Sequence, residues 1–143
     1  MRTEEADLLR EFEFKRYTLN YGEKRRLLKK LKKHLKKIEN LEFAYVHGSF
    51  VELEEFRDID VAIWVKDPEN AFYYAVRVSM NLEIELKMKI DVHVLNEAPI
   101  TFRYNVYKRG ILLFSKNDRL RLEEEIKISM MYFDLEQLKR YNS

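Results

Sequence analysis

The sequence predicts a mixed α/β fold, a small mixed sheet flanked by helices, and three observations carry that prediction. Leu27, Leu28, Leu31, Leu35 and Ile38 recur at helical spacing. Two short apolar runs, Leu41 to Val46 and Ile59 to Val65, carry residues that suit pleated strands. Ile90, Val92 and Val94 alternate with Asp91 and His93 as a third strand would, and Pro68 and Pro99 stand where helices open. With 143 residues and 46% hydrophobic content the chain suffices for one core and is short for two domains, so a single domain over 1–143 is expected.

Each element follows from a local pattern. Ala6, Leu8, Leu9, Phe12 and Phe14 fit a helix from Thr3 to about Tyr17, and residues 1–22 are expected to form a helical extension ended by Leu19-Asn-Tyr-Gly22. The leucine stripe predicts the next helix, Glu23 to Glu39, with Arg25, Lys29, Lys32, Lys33, Lys36, Lys37 and His34 on its solvated side. After the second strand, Pro68 opens a helix capped by Asp67 and continuing through Ala71, Tyr74, Ala75, Val78 and Leu82. Its end is ambiguous, because every second residue from Leu82 to Val94 is apolar and periodicity alone would read one long strand. Pro99 opens a helix through Phe102, Val106 and Tyr107 that ends at Gly110, expected as a left-handed cap. Arg103, Lys108 and Arg109 lie on or near it, able to reach a triphosphate or to complement the helix dipole. Ile111 to Phe114 follows as a short strand. The last helix, Asp118 to Tyr141, is expected to bury Leu120, Ile126, Met130, Phe133, Leu135 and Leu138 and to expose Glu123 to Glu125.

The chemistry concentrates between Val46 and Val65. Period-two geometry puts Asp58 and Asp60 on one side of their strand, with Ile59 and Val61 on the other. Two carboxylates a few ångströms apart beside a buried run raise each other's proton affinity, and a divalent cation removes the conflict. Hard oxygen ligands on rigid positions suit magnesium, which takes its remaining ligands from water and substrate phosphates. Gly48 allows close backbone approach and Ser49 offers a small hydroxyl where the preceding strand ends, so metal-assisted transfer from a nucleoside triphosphate is the chemistry suggested. If the third strand neighbours the second, Asp91 completes a three-carboxylate cluster. His93 is read as a packed, hydrogen-bonded histidine outside the catalytic set.

Composition sets the remaining bounds. No stretch is long and apolar enough to span a bilayer, and Met1 to Asp7 lacks the apolar core of a secretion signal, so a cytoplasmic protein is expected. With no cysteine, disulfides and zinc-thiolate sites are excluded. A net charge of +2, without aromatic residues interleaved among the cations, gives no reason to expect nucleic acid as a partner.

Gly48-Ser49 followed by Asp58-Ile-Asp60 resembles the signature of the DNA polymerase beta-type nucleotidyltransferase superfamily, in particular the minimal nucleotidyltransferases that serve as antitoxins to HEPN-domain toxins. The likeness continues through Lys89-Ile-Asp91-Val-His-Val-Leu-Asn-Glu-Ala-Pro99, Val106-Tyr-Lys-Arg-Gly110-Ile-Leu-Leu-Phe114 and Met131-Tyr-Phe-Asp134, covers about Leu41 to Tyr141, and favours a helix to about Leu86 followed by a strand from about Lys89 to Leu95. The resemblance implies a polymerase beta-like fold and a magnesium-dependent protein adenylyltransferase that moves AMP from ATP to a tyrosine hydroxyl of a HEPN-type ribonuclease toxin. It implies that Gly48 and Ser49 hold the β- and γ-phosphates and that Asp58 and Asp60 bind one or two magnesium ions. Asp91 then either completes the second metal site or accepts the proton of the attacking hydroxyl. ATP and a HEPN toxin are the implied partners, in a homo- or hetero-oligomer. Two departures stand out: the spacer from Ser49 to Asp58 is short, with Val51-Glu-Leu-Glu-Glu55 where many members have a second glycine, and Arg57 replaces a serine before the first Asp. They keep open a silent antitoxin that acts by contact, beside a nucleotidyltransferase acting on RNA or a small molecule.

Overall fold

The computed structural model describes residue 4 and residues 15–142. Of the expected N-terminal helix the described residues include only Glu4, which is helical, and the end, where Tyr17 is in a strand. The strands are β1 (Tyr17–Thr18), β2 (Leu41–His47), β3 (Glu55–Phe56), β4 (Asp58–Val65), β5 (Lys89–Val94) and β6 (Ile111–Ser115). The helices among these residues are α1 (Tyr21–Lys36), α2 (Ser49–Glu52), α3 (Ala71–Leu86), α4 (Ile100–Arg109) and α5 (Asp118–Tyr141). The main sheet has the order β5-β4-β2-β6, and β1 pairs with β3 in a two-stranded ribbon. β4 runs parallel to β5 and antiparallel to β2, which runs antiparallel to β6, so the sheet is mixed as expected.

Alternation along β2 and β4 sends apolar side chains to both faces. Ala44, Val46, Val61 and Ile63 meet Leu31 and Leu35 of α1 and Val78 and Leu82 of α3 on one side. Phe43, Tyr45 and Ala62 meet Val106, Phe102 and Tyr107 of α4 and Leu120 of α5 on the other. Asp58 and Asp60 belong to that second face, beyond the point where its apolar packing ends.

Several boundaries differ from expectation for identifiable reasons. α1 starts at Tyr21, because Asn20 closes a capping box: its Oδ1 accepts from the Glu23 N–H at 2.8 Å and Glu23 Oε1 accepts from the Asn20 N–H at 3.3 Å. Gly22 therefore lies inside the first turn. α3 begins at Ala71, since Pro68 and the Asp67 side chain, which accepts from the Glu69 N–H at 3.0 Å, build a preceding turn. Its end agrees with the resemblance: α3 runs to Leu86, the chain reverses at Lys87, in the left-handed region with φ 55°, and β5 starts at Lys89. The apolar alternation from Leu82 is thus coincidental on the helix, where Ile84 faces solvent. Gly110 is extended, at φ −74° and ψ 168°, and is not a left-handed cap. A Cβ there would lie 2.5 Å from the Val106 carbonyl oxygen and 3.0 Å from that of Val46, so close backbone approach is what requires glycine.

The largest correction concerns α5. Ile126, Met130, Phe133 and Leu138 are exposed, whereas Ile128 and Glu124 are buried. Helix register puts Glu124 against α4, where its carboxylate accepts from Arg103 Nη1 at 3.3 Å and from the Tyr107 hydroxyl at 2.8 Å. Next to it, Glu125 accepts from the Tyr45 hydroxyl and from Arg121 Nη1. These acids fasten α5 to the sheet, and burial then pushes the Tyr45 and Tyr107 phenols well above their ordinary range. Substituting Glu124 by Ala leaves a buried guanidinium without its partner and should cost about 3 kcal/mol. Glu123→Ala breaks only a solvent-exposed pair with Arg119 and should cost under about 0.5 kcal/mol. Urea unfolding of both variants checks the difference.

Candidate active site

The site begins with strand register. Parallel pairing sets Asp58 beside Lys89 and Asp60 beside Asp91, and antiparallel pairing sets His47 beside Asp60. Because side chains alternate, Asp58, Asp60 and Asp91 all stand on the α4 face, and each offers a carboxylate oxygen within 4.8 Å of the other two. The structure therefore brings the three predicted carboxylates together. All are partly exposed, open to an ion and a ligand.

The donor set is chemically suited to magnesium: three hard carboxylate oxygens on rigid backbone, with open positions for water and phosphate. Without a cation the cluster is electrostatically uncomfortable. Burial, then the charges of Asp60 and Asp91, hold the Asp58 carboxyl above the usual carboxylate range. His93 responds to the same charge. Its Nε2 is 3.8 Å from Asp60 Oδ1, too long for a hydrogen bond, and the Asp60 carboxylate, opposed by burial, raises its proton affinity. His47 goes the other way, its proton affinity lowered mainly by burial. The two imidazoles lie 5.9 Å apart, both against the Phe102 ring.

Gly48 closes the other side of the site. Its φ of 78° and ψ of −154° lie in a region essentially reserved for glycine. A Cβ would stand 2.4 Å from Asp60 Oδ2, so the missing side chain also makes room for the carboxylate. Ser49 then opens the single turn of α2 and shares a surface depression with Arg16, Arg57 and Asp58. The short spacer is held firmly. Phe50 and Phe56 are buried edge to face, with centroids 4.9 Å apart. Lys24 Nζ reaches across from α1 to the Phe50 and Leu53 carbonyls at 2.7 and 2.8 Å, and Tyr17 stacks on Phe56 from β1.

Of the cations expected near a triphosphate, Arg103 is committed to Glu124 and Lys108 Nζ donates to the Tyr104 hydroxyl. Arg109 alone turns toward the loop, 4.0 Å from Glu52 of α2. Arg16 and Lys24 were not singled out in the sequence, because their positions depend on the β1–β3 ribbon and on α1 crossing the loop. His47 was missed as well, although its place immediately before Gly48-Ser49 was a usable signal.

These features describe an α/β domain with three carboxylates gathered beside a glycine turn, and comparison with known proteins defines its class. Residues 29–119 match the family model described as polymerase beta, nucleotidyltransferase, and the chain belongs to that family. It is similar in fold to a chain of the tri-AMPylated Shewanella oneidensis HEPN toxin in complex with MNT antitoxin, with 22% identity and a TM-score of 0.66 over 82% of this chain and 93% of that one. A chain of the MntA-HepT toxin-antitoxin structure aligns with 21% identity and a TM-score of 0.65, over 82% and 93% of the two chains. A toxin-antitoxin structure with AMP-PNP gives 23% and 0.67, over 80% and 93%. No curated protein sequence matches the chain.

The raised Asp58 proton affinity has a testable sign. Between the unfolded and the higher folded pKa the native state binds more protons than the unfolded chain, so this group makes the metal-free protein more stable as pH falls through that window. His93, also raised, acts in the same direction, and Asp58→Asn separates the two contributions. The variant should melt higher than the parent at pH 7 without metal, flatten the acid-side rise in Tm, and lose stabilisation by magnesium. Thermal melts from pH 4.5 to 8, with and without magnesium, check all three.

Proposed function

We propose that this protein is a magnesium-dependent protein adenylyltransferase that acts as an antitoxin, transferring AMP from ATP to a tyrosine hydroxyl of a HEPN-type ribonuclease toxin. The observation that carries the reading is the meeting of Asp58, Asp60 and Asp91 next to Gly48-Ser49 in a chain of the polymerase beta nucleotidyltransferase family. The fold it shares with chains of toxin-antitoxin complexes, one with an AMPylated HEPN toxin and one with AMP-PNP, supports the choice of nucleotide and partner.

In this reading Asp58, Asp60 and Asp91 would hold the magnesium, which would supply charge neutralisation for the triphosphate and lower the pKa of the attacking hydroxyl. Backbone at Gly48 and the Ser49 hydroxyl bind the β- and γ-phosphates, with Arg57 on the same depression adding positive charge, since Arg16 there is paired with Glu55 at 3.3 Å. The tyrosine oxygen attacks the α-phosphorus, a P–O bond to it forms, the bond to the bridging oxygen breaks and pyrophosphate leaves. The phenol proton passes to Asp91 or to solvent; a phenol of pKa about 10 gives it up more readily than an aliphatic alcohol. The chain supplies positioning and charge more than covalent chemistry. A bulky anion added to the toxin would repel the RNA backbone from its active site.

Co-expression with a HEPN toxin, separation and mass measurement of the toxin tests this. The parent should leave AMP on a toxin tyrosine, and Asp60→Asn should lower the transfer rate by roughly 10²-fold or more. An unmodified toxin that is still fully inhibited, by parent and variant alike, would contradict the reading and establish neutralisation by contact.

A further inference from the structure

A cavity of about 400 Å³ opens at the free edge of the sheet, on the side of the carboxylates away from Gly48. Val92 and Val94 of β5, Ala71 and Ala75 of α3, Pro68 and Pro99 surround it, and the Phe72 and Phe102 rings stand at its walls. Its size is at the lower end for a ligand pocket, and its lining is mostly apolar and aromatic, which suits one flat ring rather than a charged group. His93 belongs to this lining and also lies 3.8 Å from Asp60, so the cavity and the carboxylate site share a wall. We propose that this cavity receives the aromatic side chain of the polypeptide that accepts the nucleotide.

Three further points support a polypeptide acceptor there. The strand order places β4, with Asp58 and Asp60, between β2, which leads into Gly48-Ser49, and β5. In a phosphoryl transfer the attacking and leaving oxygens lie roughly in line, so a pyrophosphate leaving over Gly48-Ser49 requires the acceptor to approach from the β5 side. That step, and the identity of the occupant as the nucleotide's acceptor, rest on the adenylyltransferase reading above. Second, no strand among the described residues pairs with the outer edge of β5, and Val92 to Val94 line the cavity, so an extended segment can bond to their main chain as its side chain enters. Third, Phe72, which lines the cavity from the first turn of α3, is 85% exposed, a large ring of the kind that anchors protein contacts. A nucleobase would fit the cavity's apolar walls as well, and the test is built to separate the two.

Two variants act on the cavity without touching the carboxylates or Gly48. Ala71→Trp fills it from a partly exposed helix start, and Phe72→Ala removes a wall that contributes nothing to the core. Backbone amide spectra of the parent, titrated with hexapeptides carrying a central Tyr, Phe or Ser and separately with adenosine, should show shifts at Val92, His93, Val94 and Phe102 for the Tyr and Phe peptides only. Both variants should weaken that binding tenfold or more while leaving the affinity for magnesium with a non-hydrolysable ATP analogue unchanged. Shifts at these residues with adenosine, equal binding of the Ser peptide, or no loss in the variants would each overturn the proposal. Failure of the parent to bind magnesium with the ATP analogue sinks the transferase reading instead, and the peptide titrations still decide what the cavity takes.

Discussion

The parallel pairing of β4 with β5 is the constraint on which the rest depends. It sets Asp60 directly beside Asp91, and alternation then puts Asp58 on the same face, so three negative charges converge because the backbone ladder leaves them nowhere else to go. The ladder is fixed in turn by burial. Ile59, Val61, Ile63 and Ile90 are fully buried against the helices, and a one-residue slip would turn them to the site and the carboxylates into the core. Gly48 completes the arrangement from β2, its missing Cβ leaving the space that Asp60 Oδ2 occupies.

Such a site is held at a cost. The same burial that stabilises the sheet disfavours the ionised form of Asp58, and Asp60 and Asp91 add to the penalty. In the proposed function this charge is arranged beforehand for a cation, the form electrostatic preorganisation takes in phosphoryl and nucleotidyl transfer. The surrounding ties are correspondingly firm: Lys24 pins the Phe50 and Leu53 carbonyls, and Phe50 and Phe56 root the short spacer in the core. The spacer that lacks a second glycine is thus shaped by side-chain anchors.

Much of this was legible in the sequence wherever a period or a breaker residue carried the information. Asp58 and Asp60 share a face by period two alone, the leucine stripe of α1 faces the sheet as its spacing requires, and α5 has the bounds its pattern suggested. What was hidden depended on neighbours far away in the chain. Asp91 joins the cluster only because β5 lies beside β4, and the local pattern could state that solely as a condition. Glu124 reads as a surface acid until α4 brings Arg103 and Tyr107 against it, which is also why the apolar side chains chosen for the core of α5 proved partly wrong. Gly110 could be recognised as a helix terminator, but its contact with the Val46 carbonyl belongs to the pairing of β2 with β6.

The central claim is that the three carboxylates and Gly48-Ser49 form one metal and nucleotide site. A crystal structure of the protein with magnesium and a non-hydrolysable ATP analogue tests it most directly. The account predicts a magnesium ion ligated by carboxylates of the Asp58, Asp60 and Asp91 cluster, with the β- and γ-phosphates on the Gly48 backbone and the Ser49 hydroxyl. Nucleotide bound away from Gly48-Ser49, or a saturating nucleotide complex in which no ion touches these aspartates, would contradict it.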